Sequence, residues 1–317
     1  MQQARWDHTR IPQQTGKQAV VTGANSGLGW HISLQLARQG AHVVMACRDK
    51  ARAMQAMDAI RAEVPHARLS FQALDLASLH SVRACAAALA AAHPRIDLLV
   101  NNAGVMFLPY ALSADGFELQ MACNHLGHFL LTGLLLPQLA QAPAPRIVTM
   151  SSGFNHYGRL PQEGFKGQPS YSRHRAYCDT KLANIVFARE LATRLARAGS
   201  HIASVAAHPG YAATNLQFGA ANLSEARWLA GLSRASRAAI TSGRMAFRRH
   251  VATPGWWMCP SARWRPRRWP ASGSCPSRPR AFLMPTPPWQ ASPIRWWCVC
   301  VEPAGPSRTS RLVRRRS

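Results

Sequence analysis

Acidic side chains are scarce in this chain: 13 Asp and Glu stand against 38 Lys and Arg in 317 residues, a formal charge of +25. Such a balance ordinarily points to nucleic acid or another anionic surface. The deficit is uneven, however. Residues 1–225 hold 20 Lys and Arg and 12 acids, a net of +8, whereas residues 226–317 hold 18 Arg, no Lys and the single acid Glu302, a net of +17. No C-x-x-C pair occurs among the eight cysteines, which argues against a zinc ribbon or a dithiol redox motif, so no metal ligand set is assigned. Cys47, Cys85, Cys123 and Cys178 are expected to be reduced thiols in a cytosolic core. Long apolar runs are missing too. The longest, around Phe129 to Leu136, is too short to span a bilayer, and the first residues lack the apolar core of a signal peptide. The expectation is a soluble, cytoplasmic protein with no membrane span.

What is present centres on Ser151-Ser152 and, downstream, Tyr177-Cys178-Asp179-Thr180-Lys181. A Tyr and a Lys four apart in a helical run share one face, so their heads can converge on one small volume. A free phenol has a pKa of about 10. Bringing it to about 7 takes roughly 4 kcal/mol of preferential stabilisation of the phenolate, which a nearby ammonium can help supply. Tyr177 would then be a usable general acid/base. The spacing alone is short and common, and an amphipathic helix with a half-buried Tyr and a solvated Lys reads the same way.

Taken in order, residues 1–16 form a polar, Gln-rich arm. Gln18 to Thr22 is a short apolar strand ending in Gly23-Ala-Asn-Ser26-Gly27-Leu28-Gly29, and a helix then closes at Gly40. Glycines in a strand-to-helix turn let backbone N–H groups approach a pyrophosphate at the positive end of the helix. A second strand, 41–46, delivers Cys47-Arg48-Asp49. An acid there suits the ribose hydroxyls of NAD and an Arg suits the extra phosphate of NADP, so Arg48 favours NADP(H) while Asp49 blurs the choice. A helix over 50–63 and a strand over 68–73 follow, then Asp75-Leu76, a helix through 81–92, and a strand over 96–100 ending in Asn101-Asn102-Ala103-Gly104. A helix over 116–139 carries Asn124 amid apolar positions. The fifth strand, 146–150, presents Ser151 and Ser152 at its carboxyl end, and a sixth, 202–206, ends in His208-Pro209-Gly210. Strands alternating with helices imply a doubly wound parallel sheet.

In combination these motifs are specific. Residues 17–216 resemble the short-chain dehydrogenase/reductase family: Thr22-Gly23-x-x-x-Gly27-x-Gly29, Asp75, Asn101 to Gly104, Asn124, Ser152, Tyr177-x-x-x-Lys181 and Pro209-Gly210 occur in that family's order. Tyr177 to Asn184, Ala46 to Asp49 and Asn124 to Phe129 look most like its retinol-dehydrogenase-like and protochlorophyllide-reductase-like branch. The resemblance implies a Rossmann-type α/β domain over 17–225 and NADP(H)-dependent interconversion of a carbonyl and a hydroxyl on a small, apolar substrate. It implies that Tyr177 passes the proton, that Lys181 depresses the phenol's pKa and holds the nicotinamide ribose, and that Ser152, more than Ser151, bonds the substrate oxygen. Asn124 would hold a water in a relay to Lys181. Asp75, with Leu76 beside it, would contact adenine, Asn101 with Asn102, Ala103 and Gly104 would line the cofactor cleft, and Thr214 would meet the carboxamide end. A homodimer through helices 116–139 and 173–198 is implied as well, with no specific nucleic acid partner.

After about residue 226 the resemblance stops. Eight of ten Trp and 12 of 22 Pro fall in the last 92 residues, without helix or strand periodicity. Three readings stand: a basic, aromatic tail that binds nucleic acid or membrane, a disordered tail, or a shifted reading frame. Met284-Pro-Thr-Pro-Pro-Trp289 must derive from ATG CCN ACN CCN CCN TGG, which two bases on permits Ala-Tyr-Ala-Ala-Leu, a helical sequence similar to the family's. A seventh strand is not found there. The alternative function is therefore an inactive or misfolded product whose basic tail binds anions nonspecifically, with the sixth strand an open edge.

Overall fold

A computed structural model of the chain describes residues 10–160, 165 and 170–209. The expectations for Gly210, Thr214, the segment 226–317 and a seventh strand lie outside these residues. Six strands form one parallel sheet: β1 (Gln18–Thr22), β2 (His42–Cys47), β3 (Arg68–Ala73), β4 (Leu98–Asn101), β5 (Arg146–Met150) and β6 (Ala203–Ala207). Their order is β3-β2-β1-β4-β5-β6. The order reverses between β1 and β4, so the connections that leave those two strands diverge and open a crevice at their carboxyl ends. Among the described residues β6 is the outer strand on its side.

Helices α1 (Gly27–Arg38), α2 (Lys50–Glu63), α3 (Leu79–Ala92), α5 (Gly127–Ala140) and α6 (Arg173–Arg197) supply the crossovers. Strands covered on both faces read as unbroken apolar runs, and Val43, Val44, Met45, Ala46 and Cys47 of β2 are all buried. Polar caps start the helices: Asp49 accepts from Arg52 N, Ser78 from Ser81 N and Ser172 from Arg175 N. The arm is tied down near its end, where Gln14 N donates to Gln39 O at 2.8 Å. No helix among the described residues is long and apolar enough to cross a membrane.

The expected single helix over 116–139 is instead a short α4 (Leu119–Met121), a π-helical turn (Ala122–Leu126) and then α5. The turn inserts the equivalent of one residue, which re-aims Asn124 at its centre. Such insertions recur at functional sites.

Candidate active site

The glycine turn and the loop after β4 meet across the crevice. Thr22 is fully buried, and its Oγ1 accepts the backbone N–H groups of Asn102 and Ala103, both at 2.9 Å. Asn102 Nδ2 donates back to Thr22 O at 2.8 Å, so the ends of β1 and β4 are stitched together. Gly23 has φ +62 and Gly27 φ +54, the left-handed region that favours glycine. A Cβ on Gly23 would lie 2.9 Å from Ala103 Cα, and one on Gly29 would overlap Gly23 O and stand 2.6 Å from Asn102 Nδ2. The surface here is therefore bare backbone at the start of α1. The Ser26 hydroxyl makes no capping bond, and half-buried Leu28 follows in the first turn. Those leading N–H groups have no intrahelical acceptor, an arrangement suited to a pyrophosphate.

At the end of β2, Asp49 is committed to capping α2 and Arg48 is exposed. Asp75 accepts from Ala77 N at 2.9 Å, while Leu76 packs on Gly127, whose Cβ would meet it at 2.8 Å. Burial, with the Asp75 charge adding to it and the Arg48 charge opposing, raises the Cys123 thiol to about 12. Pro209 sits two residues past β6, half-buried.

Across the crevice, Tyr177 and Lys181 occupy one face of α6, each 4% exposed. The Lys181 Nζ lies 5.5 Å from the Tyr177 ring centroid and donates to Met150 O at 3.4 Å. The two serines divide their work. Ser151 Oγ donates to Lys181 O at 2.8 Å, anchoring α6 to the end of β5, whereas the Ser152 hydroxyl accepts from Phe154 N at 3.4 Å and stands near enough to the Tyr177 phenol to favour its ionised form. Gly104 lets the opposite loop close in: a Cβ there would stand 3.1 Å from Asn124 Oδ1 and 3.6 Å from Lys181 Nζ.

Burial dominates the titration of the pair. It raises the Tyr177 phenol to about 12, against the pull of the nearby Ser152 hydroxyl, and lowers the Lys181 ammonium to about 8. The depressed phenol expected from the Tyr-Lys spacing is thus not what this protein shows on its own. Removing a phenolate from water costs more here than its neighbours return.

Two asparagines of the site have polar partners of their own. Asn101 is buried and donates to Thr132 Oγ1 on α5 at 2.9 Å, so Asn102, not Asn101, faces the glycine turn. Asn124 is fully buried, and its side chain clamps the loop after β4: Nδ2 donates to Val105 O and Thr180 Oγ1, and Oδ1 accepts from Val105 N at 2.7 Å. His128, Thr180 and Asn184 lie in stretches that carry the family resemblance, yet the sequence alone assigned them no role. Their signal was that polar residues recur inside otherwise apolar helix faces, where burial demands partners.

One wall of the site is aromatic. Phe107 meets Tyr177 edge-on at 5.4 Å between centroids and Phe154 at 6.0 Å, with Met106 packed beside them. Phe107 is held at φ +56, an uncommon conformation for a bulky residue. Gln120 fixes it by accepting from Phe107 N at 2.9 Å and donating to Tyr171 Oη at 2.7 Å. Among the described residues no three His, Cys, Asp or Glu side chains group as a metal site.

A family profile for short chain dehydrogenase matches residues 17–222. The chain is similar to retinol dehydrogenase 14 of Mus musculus, at 46% identity over 211 residues covering 63% of each chain. It is also similar to retinol dehydrogenase 12 of Homo sapiens, at 43% identity over 204 residues and 64% of each. It thus spans under two thirds of the length of these curated relatives. Among solved structures, an uncharacterized protein from Mycobacterium paratuberculosis aligns with TM-score 0.60 and 41% identity, covering 73% of this chain and 81% of that one. The glycine turn, the Asn102–Gly104 loop and the Ser152, Tyr177 and Lys181 group all fall inside the matched stretch, and on that match the chain belongs to the short chain dehydrogenase family.

Proposed function

We propose that this protein is an NADP(H)-dependent oxidoreductase that interconverts a carbonyl and a hydroxyl on a small apolar substrate. The observation that carries the reading is the convergence of Ser152, Tyr177 and Lys181 at the carboxyl end of β5, opposite a glycine turn with no side chain in the way. The backbone at Gly23, Gly27 and Gly29 and the start of α1 would hold the cofactor's pyrophosphate, and Arg48 its ribose phosphate. A bound nicotinamide supplies the hydride.

The chain's own residues manage the proton and the alignment. Tyr177, kept neutral by burial, carries the proton that a carbonyl oxygen needs as it becomes a hydroxyl, so reduction is the direction for which it is already charged. Ser152 presents a second hydroxyl to the same oxygen. Lys181 has its ammonium at about 8, which leaves it protonated for the most part at pH 7 and able to return a proton to the phenolate. Phe107, Phe154 and Met106 exclude water from one side and favour an apolar substrate.

The test is NADPH-dependent turnover of a panel of apolar aldehydes and ketones, repeated with NADH and with Arg48→Glu. NADPH should be preferred at least tenfold in kcat/KM, and Arg48→Glu should erase the preference. Turnover with neither cofactor across the panel refutes the oxidoreductase reading. Equal use of both cofactors refutes the assignment to Arg48.

A further inference from the structure

The two stretches that mark the branch in sequence, Asn124 to Phe129 and Tyr177 to Asn184, bond to each other. Asn184 lies three residues past Lys181 on α6 and is 2% exposed. Its Nδ2 donates to two backbone carbonyls, Asn124 O at 3.1 Å and Met150 O at 3.0 Å. Carbonyls only accept, so the amide has one orientation, and its Oδ1 faces His125 Nδ1 at 3.1 Å. His125 must therefore carry its proton on Nδ1. Met150 O is also the acceptor of the Lys181 ammonium. Asn184 thus holds the group on which that ammonium rests. The run continues from Asn124 O to His128 Nδ1 at 3.2 Å, and from His128 Nε2 to Thr22 Oγ1 at 2.9 Å. The same tautomer logic makes His128 Nε2 the acceptor and Thr22 the donor, so the run reaches from Lys181 to the glycine turn.

We propose that Asn184, oriented by His125, is a positioning residue for the Tyr177–Lys181 pair, fixing the Met150 and Asn124 carbonyls and keeping water from the lysine head. An apolar side chain would fill this buried place without the desolvation cost of an amide; the amide's use lies in what it holds. Its consequence for turnover rests on the oxidoreductase reading, but the state of the lysine can be read without turnover.

The chain has four lysines, Lys17, Lys50, Lys166 and Lys181, so carbon-13-labelled lysine gives four side-chain resonances whose titration NMR can follow in the full chain. The titratable groups set around Lys181 are Tyr177 on its own helix, His125 from the facing π turn and His128 from the first turn of α5. Burial raises the phenol and lowers both imidazoles, so none of the three changes charge between pH 7 and 9.

Asn184→Ala removes both donated bonds and leaves a polar gap that water can enter. The Lys181 midpoint should then rise by at least about half a pH unit towards its ordinary value as desolvation is relieved. His125→Leu should move it the same way. His125→Asn, which places an amide N–H where Nδ1 stood, should restore it. If Asn184→Ala does not fold, the two His125 variants decide the matter. A Lys181 midpoint unmoved in the variants that fold, with only thermal stability lowered, overturns the proposal and leaves Asn184 a packing residue. A shifted midpoint in a chain that turns over no carbonyl keeps the positioning role and refutes the oxidoreductase reading. An unmoved midpoint in an active chain does the reverse.

Discussion

Gly23→Ala separates two costs that the glycine turn implies. Gly23 has φ +62, and an L residue in the left-handed region costs about 1–2 kcal/mol. The new Cβ would also stand 2.9 Å from Ala103 Cα and Cβ. That contact is with main chain and a side chain that has no rotamer to escape into, so overpacking adds about 1–3 kcal/mol. The sum, about 2–5 kcal/mol, is a large share of the roughly 5–15 kcal/mol that holds a typical domain folded. Gly199→Ala is the control: it has φ +66 but nothing within 4 Å of its Cβ, so it bears the first cost alone. Urea unfolding of both variants should show Gly23→Ala the costlier by about 1–3 kcal/mol, and NADPH titration should show at least tenfold weaker binding only in Gly23→Ala. Equal unfolding costs, or unchanged binding in Gly23→Ala, would refute the close approach of the turn to the Ala103 loop.

Thr22→Val should destabilise by about 2–4 kcal/mol, since it strips the acceptor from Asn102 N and Ala103 N and the donor from His128 Nε2. Thr22→Ser keeps the hydroxyl and should lose less than about 1.5 kcal/mol in the same urea assay. Stability should also carry a mark of Lys181. Its folded pKa of about 8 lies below the ordinary 10.5, so between those values the unfolded chain binds more protons and stability rises with pH. From pH 8 to 9 that gain is about 1 kcal/mol. It should be absent in Lys181→Met. An identical slope in the variant would mean that the ammonium is not desolvated as the fold requires.

Much of this arrangement could be read from residue order alone. The bounds expected for β1, α2, β3 and β5 agree with those found, because each is an apolar run, an alternating run such as Arg68 to Ala73, or a capped helix with clear punctuation. β4 was harder. Ile96 continues the apolar run, yet its N–H goes to Gln138 O on α5, a tertiary choice that a run of Ile and Leu does not encode. The π turn at Asn124 was hidden for a related reason: one inserted residue barely disturbs an apolar helical pattern. Asn101 and Asn102 are chemically alike, and only the pleat of β4 decides that Asn101 turns to Thr132 and Asn102 to the glycine turn. The Tyr177 phenol went the other way from expectation because spacing reveals the lysine charge but not the depth of burial.

The central claim is that Tyr177 carries the proton. Its most direct test is carbonyl reduction by Tyr177→Phe, measured beside NADPH binding in the same preparation. The account predicts a fall in kcat of at least a hundredfold, since a positioned proton donor contributes about 10²–10⁴, with the NADPH dissociation constant within threefold of wild type. Undiminished turnover in a variant that still binds NADPH would contradict it.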